Sequence, residues 1–274
     1  MFSAFLLSLR EGLEAALIIG IVLGALRKMA RPDLKPAVWA GVISAAFISL
    51  LAGSSLTALG LSLEGRAEQI FEGFTMLLAA GILTWMIFWM NRRGRTMRAE
   101  LESSVQQATI SGVSRQALFS LAFLAVVREG IELALFLSAA AFALQGRGTL
   151  PGALLGLATA ILLGWLLFSA TLRLDLRRFF QVSSILLILF AAGLAAHGVH
   201  EFNEAGWIPP AIEHIWDLNP WLDENSTLGG ILKALFGYNG NPSLTEALAY
   251  LAYFGLVVLG LRHKNPSEAR PLPA

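Results

Sequence analysis

Long blocks of apolar residues dominate the chain, and short polar linkers separate them. A helix needs about 20 mostly apolar residues to cross the hydrocarbon core of a membrane. Seven blocks meet or approach that length, at residues 2–26, 37–61, 69–90, 116–144, 151–171, 179–200 and 244–262. The pattern predicts an all-α polytopic membrane helix bundle with seven transmembrane helices in a single domain, residues 1–274. The lipid bilayer is then the surrounding solvent.

The first block is expected to stay in the mature protein as its first helix. No basic segment precedes residues 2–26, and no small-x-small cleavage site follows a short apolar core. A secretory signal peptide would have both the basic segment and the cleavage site.

Basic residues alternate between the linkers. The segments after the first, third, fifth and seventh blocks hold fifteen Lys and Arg, whereas the other linkers hold only Arg66, Arg147 and Lys233. Cytoplasmic loops of membrane proteins carry an excess of Lys and Arg. The alternation therefore predicts a multi-pass membrane protein with the N-terminus outside and the C-terminus in the cytoplasm.

The longest linker, 201–243, is external in this topology. It is acidic, with six Asp and Glu against Lys233 alone, and it is rich in Trp and Pro. One interpretation is a folded interfacial cap with aromatic anchors. The other is an acidic vestibule that concentrates cations.

Composition narrows the chemistry further. Hydrophobic residues make up 56% of the chain and charged residues 14%, and the net charge of +1 gives no reason to expect a nucleic-acid partner. The chain has no Cys. Disulfides, thiolate metal ligands and thiol redox chemistry are therefore excluded. A metal site in this protein must use oxygen ligands, His or Met.

Two apolar blocks carry the same charged motif, Arg-Glu-Gly-x-Glu, at Arg10–Glu14 and Arg128–Glu132. On a helix, Glu11 and Glu14 share one face, and Arg10 can pair with Glu14 four residues later. The same spacing relates Arg128, Glu129 and Glu132. The glycine inside each motif permits a neighbouring helix to approach closely.

The two motifs belong to an internal repeat. Residues 5–26 align without gaps with residues 123–144 at an offset of 118. Repeat one, 1–90, and repeat two, 116–200, each contain three spans, so the second lies inverted relative to the first. The last helix, 244–262, is additional. Inverted repeats are typical of secondary transporters, whose sites lie near the midplane between the repeats.

The cost of burying charge indicates a ligand. A charged residue at a helix centre costs about 2.5–3.5 kcal/mol on insertion scales, so six cost on the order of 15–20 kcal/mol if unpaired. Pairing Arg10 and Arg128 with two glutamates leaves two negative charges, which a divalent cation or two protons would neutralise. The structural alternative is a pair of buried ion pairs that fix helix register. Carboxylate ligands suit Fe, Mn, Mg or Ca without choosing among them.

The chain resembles the iron permease family, which comprises oxidase-dependent iron transporters, and it is most similar to the bacterial EfeU-type members. The likeness rests on both REGxE helices and extends over nearly the whole chain. The matching segments are FLLSLREGLEAALIIGIVLGAL, EQIFEGFTMLLAAGILTWMIFWM, AVVREGIELALFLSAA, AAGLAA followed by EAG, and LFGY before the last helix.

The resemblance implies high-affinity iron import across the cytoplasmic membrane, with Glu11, Glu14, Glu129 and Glu132 as iron ligands. Arg10 and Arg128 would balance their charge. Iron would be the transported substrate, with no permanently bound cofactor. Bacterial members imply periplasmic EfeO-type and haem-peroxidase EfeB-type partners, and fungal members imply a multicopper oxidase and ferric iron. The choice between ferrous and ferric iron stays open.

Further acids and histidines lie where the third and sixth blocks meet the outside, and they form a candidate outer loading site. They are Glu68, Glu72, His197, His200, Glu201 and Glu204. Glu72 matches the family's FEG segment and Glu204 its EAG segment. The alternative for Glu68 is a helix-start acid that complements the helix dipole. For His197, His200 and Glu201 it is an interfacial face toward water.

Two other classes of function remain open from the residues. One is a proton-coupled carrier of another divalent metal such as manganese, with the carboxylates as proton relays. The other is an intramembrane enzyme. The chain has no Cys, no H-E-x-x-H and no G-x-S-x-G motif to support catalysis, so we do not expect an enzyme.

Overall fold

A computed structural model describes residues 1–93, 103–107, 114–144, 146, 148–169, 175–224 and 226–262. Its helices are α1 (Phe2–Lys28), α2 (Lys35–Ser62), α3 (Arg66–Arg93), α4 (Ser114–Ala143), α5 (Thr149–Ser169), α6 (Leu176–Glu204), α7 (Thr227–Phe236) and α8 (Leu244–Arg262). A 3₁₀ turn, Pro32–Leu34, precedes α2. The described residues contain no β-strand, which confirms the prediction of an all-α fold.

Each of the seven apolar blocks overlaps one long helix, and most of these helices continue beyond the apolar block by a few residues. The helix α6, for example, begins three residues early, where the Asp175 side chain accepts a hydrogen bond from Arg178 N and caps the helix. The last two residues of the predicted block 151–171 lie outside the described residues. The same holds for several linker charges, which are Arg95, Arg98, Arg147, Arg173, Lys264 and Arg270.

Five helices are both long and apolar enough to cross a membrane, namely α2, α3, α5, α6 and α8. The two REGxE helices, α1 and α4, are 27 and 30 residues long. They fall outside this group of five because each carries charged residues of its motif within its length. The protein therefore has several helices capable of spanning a membrane, while the count of seven spans stays a prediction.

Small residues bring the helices together in two parallel pairs. Along α1 and α5, a Cβ added to Gly12 would lie 2.7 Å from the Ala160 Cβ, and one on Gly164 would lie 2.8 Å from the Ala16 Cβ. Along α2 and α4, Gly53 meets Ala134 in the same way, at 3.2 Å. Backbones that approach this closely gain van der Waals contact, which drives helix association in lipid.

The remaining helices form a third group around the main apolar core. The helices α3 and α6 run antiparallel and cross where Gly73 and Gly198 meet, and α8 packs on α6. Met76 and Met86 are fully buried in this core, as expected for methionines that fill space. The motif helices α1 and α4 contact each other between these groups.

The linker 201–243 folds back along the bundle. It contains α7, which Ser226 caps at its start and Gly237 ends with φ +66°. The backbone of Gly237 meets that of Gly193 in α6. Gly193 lies eleven residues before the end of α6. At 1.5 Å per residue, its contact with Gly237 is therefore about 16 Å along the helix axis from that end. The sequence did not predict α7, since ten residues with two glycines are too short for a span.

Candidate metal site

The two REGxE motifs face each other where α1 and α4 meet. Arg10, Glu11, Glu14, Glu129 and Glu132 are all buried, and Arg10 has no exposed surface at all. The motif glycines make this arrangement fit, since a side chain at Gly12 would collide with Ala160 of α5 and one at Gly130 with Ser49 of α2. The neighbouring helices thus press directly on the backbone of each motif.

Three carboxylates from the two motifs come together. Glu11, Glu14 and Glu129 each place one oxygen so that all three oxygens lie within 4.8 Å of one another. In the described part of the chain, no other group of three acidic or histidine side chains converges in this way. Glu132, the fourth predicted ligand, lies outside this group of three.

Each motif also contains the predicted ion pair. Arg10 Nε lies 3.2 Å from Glu14 Oε1. Arg128 Nε donates a hydrogen bond of 2.9 Å to Glu132 Oε1. The i, i+4 spacing thus correctly predicted both partners. Glu11 and Glu129 have no such arginine pair in their own motif.

Several carboxylate oxygens of the two motifs are buried without a hydrogen-bond donor among the described residues. They are both oxygens of Glu11 and the Oε2 atoms of Glu129 and Glu132, while Oε1 of Glu14 has its ion pair with Arg10 but no hydrogen bond. A buried charge without a partner costs several kcal/mol. These oxygens therefore fit a bound cation or protons. An all-carboxylate donor set suits a hard or borderline divalent cation.

The outer candidates divide into two groups. His200 Nε2 lies 3.3 Å from Glu204 Oε1, and Gln69 of α3 donates a hydrogen bond of 3.1 Å to Glu204 Oε2. The carboxylates of Glu68, Glu72 and Glu204 lie close enough to Glu201 to repel its negative charge. Glu68, Glu72, His200, Glu201 and Glu204 therefore share the joined ends of α3 and α6, without converging on one point as the three motif carboxylates do.

His197 does not join that group. Its Nδ1 lies 3.0 Å from the carbonyl oxygen of Gly193 in its own helix, and Lys233 of α7 is nearby. The helical spacing placed His197 on the same face as His200. In the structure, α7 and Gly237 of the linker lie against that turn of α6, and a helical pattern alone does not reveal such a contact.

Glu246 is a buried residue that the sequence analysis missed. Its carboxylate lies 3.0 Å from His200 Nδ1, accepts a hydrogen bond of 2.7 Å from Asn239 Nδ2, and accepts one of 3.2 Å from Ser243 N. Ser243 Oγ in turn accepts from Glu246 N. Ser243 and Glu246 thus form a capping box at the start of α8, and the S-x-x-E spacing could have revealed it.

Comparison with known proteins places the chain in a family. The Iron permease FTR1 family matches residues 1–263. The "Ferrous iron permease EfeU" proteins of Escherichia coli O157:H7 and Shigella sonnei are each 38% identical over 256 residues, which cover 92% of this chain and 92% of the relative. The Yersinia pestis protein of that name is 37% identical over 254 residues, covering 92% and 90%.

The chain belongs to the iron permease family. Iron uptake by a membrane permease is therefore its class of function, as the resemblance in its motifs implied. No solved structure matches it significantly.

Proposed function

We propose that this protein imports ferrous iron across the cytoplasmic membrane through the cluster of Glu11, Glu14 and Glu129. One observation carries the proposal: three buried carboxylates from two separate motifs converge within 4.8 Å, and several of their oxygens have no donor among the described residues. The relatives named as ferrous iron permeases support the choice of ion and oxidation state.

The charge of the two motifs matches a divalent cation. Four glutamates and two arginines sum to two negative charges when all are ionised. Arg10 pairs with Glu14 and Arg128 pairs with Glu132, so the excess negative charge corresponds to Glu11 and Glu129. Ferrous iron then neutralises the remainder in a low-dielectric interior, where an uncompensated charge is most costly.

We infer that α1 and α4 also cross the membrane, which gives seven spans in an inverted 3+3 repeat plus α8. The helix packing supports this arrangement. The helix α1 packs on α5, and α4 packs on α2. A two-fold operation that exchanges α1 with α4 and α2 with α5 converts one pair into the other. Such an axis would bring both motifs to one depth.

The outer group of acids would collect iron before it reaches the central cluster. Glu68, Glu72, Glu201 and Glu204, with His200 beside them, would make the external end of the bundle negative. Negative clefts raise the local concentration of cations. The family resemblance further suggests that periplasmic EfeO-type and EfeB-type proteins deliver iron to this face.

Uptake of radiolabelled ferrous iron into proteoliposomes, under reducing conditions, tests the proposal. Glu14→Gln and Glu129→Gln keep the side-chain shape but remove a ligand charge, and we expect each to lower uptake at least tenfold. Glu213→Gln, which removes an exposed acid of the linker, is the matched control and should transport normally. Normal uptake by both site variants would overturn the proposal. A manganese competition arm distinguishes the alternative carrier, since manganese would then be transported in preference to iron.

A further inference from the structure

The arginines of both motifs reach the same short stretch of α3, residues 85–90. Arg10 Nη2 donates a hydrogen bond of 3.1 Å to Met90 Sδ. The guanidinium carbon of Arg128 lies 4.6 Å from the ring centroid of Trp89 and 5.9 Å from that of Trp85. One helix, α3, therefore contacts both charge-balancing arginines.

The two tryptophans that contact Arg128 stack on each other. Trp85 and Trp89 lie four residues apart on α3, with ring centroids 6.3 Å apart and planes inclined by 26°. A guanidinium within about 6 Å of an indole face is attracted by the ring quadrupole, most strongly where water is excluded. The Arg128 side chain is 36% exposed even with both indoles beside it, so the bundle does not enclose it on all sides.

The position of Arg128 matters for the metal-binding carboxylates. Its guanidinium hydrogen-bonds Glu132, while Glu129 and Glu14 also lie within its electrostatic range. An arginine side chain is long and mobile unless it is held. If it turned into the cluster, it would compete with a cation for the same oxygens.

We propose that Trp89, with Trp85 beside it, is a positioning residue that holds Arg128 at Glu132 and out of the Glu11, Glu14 and Glu129 cluster. The inference rests on the function proposed above. With Arg128 held at Glu132, Glu129 on the same helix keeps one oxygen without a hydrogen-bond donor among the described residues.

Iron uptake kinetics separate positioning from packing. Trp89→Leu keeps an apolar side chain but removes the aromatic face, and we expect the KM for ferrous iron to rise about tenfold, the factor that 1.4 kcal/mol produces. The maximal rate should change by less than about twofold, since uniform loss of binding affects KM alone. Trp89→Phe retains a weaker aromatic face and should restore most of the affinity.

Two further variants complete the experiment. Trp85→Leu should raise KM by a smaller factor than Trp89→Leu, because its ring lies farther from the guanidinium. Trp165→Leu removes an exposed indole from α5 and should leave KM unchanged. If Trp89→Leu does not insert, the order of KM among Trp89→Phe, Trp85→Leu and wild type still tests the inference.

A wild-type KM in Trp89→Leu would overturn the inference, and so would equal impairment of the Leu and Phe variants, which indicates packing alone. Glu129→Gln in the same vesicles shows which idea has failed. If Glu129→Gln blocks uptake and Trp89→Leu is normal, only the positioning role is wrong. If Glu129→Gln transports normally, the metal site itself is wrong.

Discussion

At the scale of single residues, the four motif glutamates are not equivalent. Glu14 and Glu132 have arginine partners, whereas both oxygens of Glu11 are buried without a donor among the described residues. Removing one partner of a buried ion pair leaves the other charge unpaired, which is strongly destabilising. Removing an unpaired carboxylate has no such penalty. The glutamates should therefore separate into those that stabilise the protein and those that only bind the ion.

Thermal unfolding of Glu11→Gln and Glu132→Gln in detergent checks this division. We expect Glu11→Gln to be at least as stable as wild type without iron, because it removes a buried charge that has no partner. Ferrous iron should raise the Tm of wild type, since a ligand stabilises the state that binds it, but not the Tm of Glu11→Gln. Glu132→Gln should unfold at a lower temperature with or without iron. An iron-dependent rise in Glu11→Gln equal to that of wild type would contradict the assignment.

The sequence predicted the two ion pairs of the motifs but not the arrangement of the glutamates around them. The spacing of Arg10 with Glu14 and of Arg128 with Glu132 follows from helix geometry alone, so both ion pairs were predictable. The exclusion of Glu132 from the cluster depends on side-chain distances across two helices. The contacts of Trp89 with Arg128 and of Glu246 with His200 join residues distant in the chain, which a single sequence does not reveal. Only the capping role of Glu246 was visible in its spacing.

At the scale of helices, crossings through small residues hold the motif helices in place. Gly12 lies against Ala160 of α5, whose Cβ would be 2.7 Å from an added methyl group. Gly24 lies farther along the same helix, and a Cβ there would meet nothing within 4 Å among the described residues. Gly12 and Gly24 therefore provide a tightly packed position and a control position on the same helix.

We expect Gly12→Ala to destabilise the protein by about 1–3 kcal/mol, the usual cost of overpacking, and to impair iron uptake by displacing α1. Gly24→Ala should be neutral or slightly stabilising, because alanine has the higher helix propensity. Denaturation in mixed detergent together with vesicle uptake measures both effects. Equal stability of the two variants would show that the α1–α5 crossing is looser than described.

Helix positions were predictable because apolar length is a strong pattern in membrane proteins. Each of the seven blocks overlaps one long helix, and within the described residues the differences are confined to the ends. The short helix α7 was not predictable by that criterion. Its place against Gly193 comes from a close backbone contact between two glycines rather than from hydropathy.

At the scale of the whole molecule, helix packing fixes the relative directions of the helices but not which face of the bundle lies outside. The α1–α5 and α2–α4 pairs run parallel and α3–α6 antiparallel, as seven spans require. Only the alternation of linker charges assigns the sides, and some of those residues lie outside the described ranges. The orientation therefore stays a prediction from sequence.

Cysteine labelling tests that orientation without background, since the chain has no cysteine of its own. Single cysteines at Glu64 and Glu213, both exposed, should react with a membrane-impermeant thiol reagent added to intact cells. A cysteine at the exposed Asp33 should react only after the membrane is opened. The reverse pattern would place the N-terminus in the cytoplasm and contradict the proposed direction of import.

The central claim is that iron binds between Glu11, Glu14 and Glu129. Anomalous scattering at the iron edge, from crystals of the protein loaded with ferrous iron under reducing conditions, tests it most directly. The account predicts an iron peak within coordination distance of carboxylate oxygens from all three glutamates, and loss of that peak in Glu11→Gln. Iron found only among the outer acids, or none between α1 and α4, would contradict it.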